Sequence, residues 1–222
     1  MKKQLYKTTT INYIFLLFIL FNTSVFSQLY SLDATSVNNT IRRGHIQVQP
    51  HPKTEHQYNV NSSYFEKDGK PWFPIMGEFH YNRYPNEYWE EEIIKIKSAG
   101  ISIVATYIFW NTHENPKDTW DWKKDNDLRK FVALCKKHDM LVWLRIGPWS
   151  HGEQKYGGHP KWINRMKGKR SNNPEYLKEV DKLYRQIGNQ TEDLYYKDGG
   201  PIIGVQIENE YASGQAEHID TL

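Results

Sequence analysis

From Trp72 onward the chain alternates two hydrophobic patterns. Short, nearly unbroken apolar runs mark strands buried on both faces, and stretches with apolar residues every three or four positions mark helices with one buried stripe. The runs predict strands at Trp72–Phe79, Ile103–Phe109, Leu141–Ile146 and Pro201–Ile207. Helices are predicted between them. Tyr88–Ala99 carries Trp89, Ile93 and Ile96 at helical spacing and stops at Gly100, Asp127–His138 places Leu128, Phe131, Val132 and Cys135 on one face, and a third spans Pro174–Gln190.

Four such strand–helix beats predict an α/β fold with a parallel sheet. A doubly wound sheet loses support because no GxGxxG phosphate fingerprint follows the first strand. The polar residues bunch immediately after the strands, as Glu78-Phe79-His80-Tyr81, Trp110 to Glu114, Gly147 to Glu153 and Glu208-Asn209-Glu210-Tyr211. In a (β/α)8 TIM barrel all those ends meet at one face, where active sites are built. The expectation is therefore a TIM barrel of which about the first four βα units are present, over residues 71–222.

Ahead of the barrel pattern, residues 1–27 read as a secretory signal peptide. Lys2, Lys3 and Lys7 precede an apolar run from Ile11 to Phe21, and Val25-Phe26-Ser27 offers a cleavage site. Residues 28–70 read as a polar leader with one short strand near Ile46–Val48, closed by the Asp68-Gly69 turn. His45, His51 and His56 lie scattered in that stretch without Cys or paired carboxylates, which predicts surface histidines and no metal.

Composition narrows the function. The net charge of +3 owes itself to the three lysines of the signal, so a cleaved chain is neutral and has no electrostatic motive for nucleic acid. The apolar run is too short to span a bilayer, so no membrane association is expected after cleavage, and the destination is extracellular, periplasmic or lysosomal. The single Cys135 cannot form an internal disulfide and reads as a small buried hydrophobe. Eight Trp and fifteen Tyr suit sugar faces as well as they suit a core, and Trp110, Trp149 and Trp162 stay open between the two.

Cleaving a glycosidic bond requires a proton for a poor leaving group and a carboxylate opposite the developing oxocarbenium ion. Glu210 can supply the proton: it follows the apolar run Ile202 to Ile207, at a strand mouth where partial burial would raise its pKa. Asn209 is placed to hydrogen-bond a sugar 2-hydroxyl. Glu208, on the other face by strand alternation, reads as structural, and His80, His113 and His151 as supports. Glu78 stays open between pocket lining and structure.

The chain resembles glycoside hydrolase family 35, the β-galactosidase family, through four ordered blocks. These are Gly77-Glu78-Phe79-His80-Tyr81 with Arg83 and Pro85; Thr106 through Glu114; Gly147-Pro148-Trp149 with Glu153, Gly157-Gly158, Pro160 and Trp162; and Gly199 through Tyr211. The resemblance implies a retaining exo-β-galactosidase without cofactor or metal, acting on carbohydrate, with Glu210 as acid/base and Tyr107, Glu153 and Asn209 as galactose-contacting residues. It also implies a nucleophilic Glu at the end of a seventh strand. With four strands legible, the 222 residues are expected to be an N-terminal fragment that is inactive alone. Two departures stand out: His151-Gly152-Glu153-Gln154 where familiar members have Cys-Ala-Glu-Trp, and Phe109 in place of a Pro before Trp110. They leave open another β-glycosidase of the same clan, and the missing nucleophile leaves open a carbohydrate-binding remnant without turnover.

Overall fold

The computed structural model describes residues 31, 40–44, 54–212 and 216–222. The stretch read as a signal peptide and the strand expected near Ile46–Val48 lie outside the described residues. From Tyr58 the stretch read as a polar leader is folded: β1 (Tyr58–Val60), β2 (Phe65–Lys67) and β3 (Lys70–Trp72) form an antiparallel sheet. Asp68 and Gly69, both at positive φ, close the β2–β3 hairpin. Each strand is three residues long, too short for a period-2 pattern to register in the sequence. Asn61, in an Asn-x-Ser sequence, is buried there, with its amide donating to Glu66 at 2.9 Å.

The predicted strand Trp72–Phe79 is two elements. Trp72 ends β3, Pro74 interrupts the run, and β4 (Met76–Glu78) begins a new sheet. A proline cannot donate to a ladder, which is why an apolar run containing one was split. β5 (Ile103–Tyr107), β6 (Leu141–Gly147) and β7 (Ile202–Ile207) follow, all parallel, in the order β4-β5-β6-β7. Each strand lies beside its predecessor. The register sets Tyr107, Arg145 and Gln206 side by side near the strands' C-terminal ends.

Helices follow the apolar periodicity closely. α1 (Trp89–Ser98) buries Trp89 and Ile93 and ends before Gly100, at φ 83°. α2 (Leu128–Lys137) begins under Asp127, whose carboxylate accepts from the Lys130 amide at 2.8 Å, and buries Leu128, Phe131, Val132 and Cys135. α3 (Pro174–Thr191) has Pro174 in its first turn and Asn173 capping Glu175 and Tyr176, and buries Val180, Leu183 and Ile187. These stripes form one core with Val104, Val142, Leu144 and Ile202 of the sheet. Cys135 lies inside it, its thiol pushed up to about 12 by burial.

Candidate active site

The four polar clusters do come together past the C-terminal ends of β4–β7. β5 is buried along its whole length and ends on Tyr107, whose hydroxyl donates to Asn209 Oδ1 at 3.1 Å. Arg145, the one charged residue of β6, lays its guanidinium 3.7 Å from the Tyr107 ring centre and donates to the same Asn209 oxygen at 2.8 Å. Its other terminal nitrogen pairs with Glu78 at the end of β4. Gln206 on β7 adds a donor to Asn209 Oδ1 at 3.3 Å. Burial raises the pKa of the Tyr107 hydroxyl, Arg145 opposes that rise, and Glu78, Glu210 and Glu153 add to it.

Glu208 and Glu210 flank Asn209 with φ of 58° and 48°, so the chain leaves β7 through two left-handed residues and strand alternation no longer decides where side chains go. Glu208 is nonetheless buried, as its structural reading required. It pairs with Arg170 at 2.7 Å and accepts from the Asn209 amide at 3.1 Å, while Arg170 also donates to the Asn209 carbonyl at 2.9 Å. Arg170 is held between the Trp149 and Tyr211 rings, at 4.7 and 5.4 Å. Burial raises the Glu208 pKa and the Arg170 pair pulls against it. Glu210 is exposed, contrary to the partial burial expected from its place after an apolar strand, because Glu208 occupies the buried position of the turn.

Glu153 sits in the loop after β6, exposed and at φ 48°. Gly152 before it is also left-handed, at φ 48°, and a Cβ there would lie 2.9 Å from the Phe109 ring. Phe109 in turn stacks on Tyr107 at 5.3 Å and beneath the Arg83 guanidinium at 4.6 Å, and Arg83 donates to the Gly152 carbonyl at 2.5 Å. The two departures noted in the sequence thus touch: the bulk of Phe109 fits because residue 152 has no side chain.

His80 and His113 hold neighbouring groups, as expected. His80 Nδ1 faces the Tyr107 backbone amide at 3.4 Å, and burial holds the imidazole below its usual pKa. His113 is buried between the Tyr81 hydroxyl (2.7 Å) and the Asp121 carbonyl (3.0 Å), stacked on Trp122, with its pKa lowered to about 4 by burial. His151 is exposed, edge-on to Trp149. Trp110 is fully buried against Trp162 and donates to Glu114, so it fills the core. Sequence reasoning missed Arg145 and Arg170. A lone arginine within the otherwise apolar Leu141–Ile146 was a usable signal for the first, and nothing local marked the second. Among the described residues no cluster of His, Cys, Asp and Glu could hold a metal ion.

The fold is shared with the endo-1,4-β-mannanase from Rhizomucor miehei, at TM-score 0.51 and 18% identity over 69% of this chain and 48% of that one. The family model for glycosyl hydrolases family 35 matches residues 64–220, and the chain belongs to that family. It is 40% identical over 159 residues to a β-galactosidase of Bos taurus and 39% identical over 160 residues to one of Homo sapiens, each match covering 71% of this chain. The aligned segment is 24% of each of those proteins, so the chain spans about a quarter of the length of the curated relatives it matches.

Proposed function

We propose that this chain supplies the acid/base half of a retaining exo-β-galactosidase, built on a (β/α)8 barrel of which β4–β7 are the first four strands. The observation that carries the reading is the Tyr107 hydroxyl bonded to Asn209 Oδ1 past the ends of parallel strands, with Glu210 next in the chain and exposed. Glu210, exposed and unencumbered by the Glu208–Arg170 pair, is the proton donor to the glycosidic oxygen and the base for the incoming water. Tyr107, Asn209 and Glu153 hold terminal galactose. The nucleophile that forms the glycosyl-enzyme is assigned to a later strand of the completed barrel. Residues 1–27 direct export, 28–70 precede the barrel and 71–222 form its first half; among the described residues no helix is long and apolar enough to cross a membrane.

A second β-glycosidase specificity is favoured by one observation, the Phe109–Gly152 contact that reshapes the wall carrying Glu153. Hydrolysis of a panel of aryl β-glycosides by the whole protein separates the two readings. Preference for the galactoside is expected; a preferred gluco- or mannoside would replace the first reading with the second, and sugar binding without turnover would leave a lectin-like remnant.

A further inference from the structure

Asn209 is short of acceptors. Its side-chain oxygen takes hydrogen bonds from Arg145 at 2.8 Å, Tyr107 at 3.1 Å and Gln206 at 3.3 Å, which more than occupies the two lone pairs of an amide oxygen. The amide N–H2 is therefore the end left to face a ligand, and it can only donate. Of the three donors Arg145 is the charged one, and its hydrogen bond is the shortest. The Arg145 guanidinium has its own anchor: one terminal nitrogen on Asn209, the other on Glu78, and the plane over Tyr107, while Nε is buried without a partner. Remove the Glu78 charge, and the ion pair that fixes the cation's far side is weakened to a neutral hydrogen bond.

We infer that Glu78 and Arg145 are a positioning pair that orients the Asn209 carboxamide toward the sugar, so that the site recognises a ligand hydroxyl as an acceptor at that point. The pair links β4, β6 and the turn after β7, three segments that no local sequence relation connects. Glu78 remains half-exposed, with His80 Nε2 3.6 Å from its second oxygen. The inference rests on the reading that a sugar occupies this mouth and adds what controls its 2-hydroxyl contact.

The test compares a 2-hydroxy with a 2-deoxy galactoside in the whole protein, both as aryl substrates and, for the free sugars, by calorimetric binding. Wild type should prefer the 2-hydroxy sugar. Glu78→Gln and Arg145→Lys should each reduce that preference by about tenfold, roughly one hydrogen bond's worth, with thermal stability of Glu78→Gln unchanged. Asn209→Ala should abolish the preference, and adding Glu78→Gln to it should change the ratio no further. A wild-type ratio in both Glu78→Gln and Arg145→Lys, or an equal loss on both sugars together with a lowered Tm, would overturn the positioning role. Binding without hydrolysis in wild type would sink the enzymatic reading while the binding ratio still decides the inference; binding of neither sugar would overturn both.

Discussion

At the C-terminal ends of β4–β7 the chain gathers Glu78, Tyr107, Arg145 and Asn209 into one hydrogen-bonded and ion-paired lattice. At the other end of the same sheet lies a cavity of about 910 Å³ lined by Tyr58, Trp72, Met76, Trp143, Tyr196 and Val205, almost all apolar. Neighbouring residues on single strands serve both: Trp143 lines the cavity, and Arg145, two positions on and so on the same face, belongs to the mouth. The difference is one of polarity along each strand, hydrogen-bonded and charged groups at the carboxyl end and an apolar lining at the amino end.

Three substitutions or conditions test that difference. The largest effect belongs to the mouth: Glu210→Gln in the whole protein should lower kcat/KM on poor leaving groups by about 10²–10⁴-fold, with a much smaller loss of kcat/KM on activated aryl galactosides, whose departure needs no proton, and unchanged Tm. Equal losses on both substrate types would move the acid role to another residue. Next, Gly204→Ala places a methyl group against the Trp143 ring. It should cost about 1–3 kcal/mol in chemical denaturation and leave kcat per folded molecule unchanged; a stable variant with reduced kcat would erase the distinction between the two ends.

A third test sharpens the comparison through pH. His113 and His159, packed behind the mouth, have pKa values lowered by burial to about 4 and about 3. Below the ordinary histidine value the unfolded chain binds protons that the folded chain does not, so their contribution is fully present above about pH 6.5 and is lost as pH falls toward 4. The limiting slope is about 1.4 kcal/mol per pH unit per histidine. Thermal unfolding from pH 7 to 4.5 should show it, and His113→Gln should flatten the slope while lowering Tm throughout; a wild-type Tm independent of pH in that window would contradict the burial of these rings.

Much of this was legible in the chain itself. Buried strands and amphipathic helices have periods that local sequence must carry, so β5, β6, β7 and α1–α3 fell within two residues of their expected bounds, and the turn residues at Asp68-Gly69 and Gly100 marked real ends. The cluster after β7 was equally readable, because a run of polar residues straight after an apolar strand has few structural uses. The three-residue strands β1–β3 were not, since they have no room for a pattern.

What only the tertiary structure decided is who faces whom. Sequence determined the residue types at the mouth and their order; it assigned Glu210 to the catalytic turn and Glu208 to a structural pair. The partner of Glu208 proved to be Arg170, 38 residues away, and the partner of Glu78 proved to be Arg145, 67 residues away. Such contacts arise from sheet register and from loops returning over strand ends, and neither leaves a local trace, because an arginine on a strand or loop looks the same whether it meets solvent or a buried carboxylate.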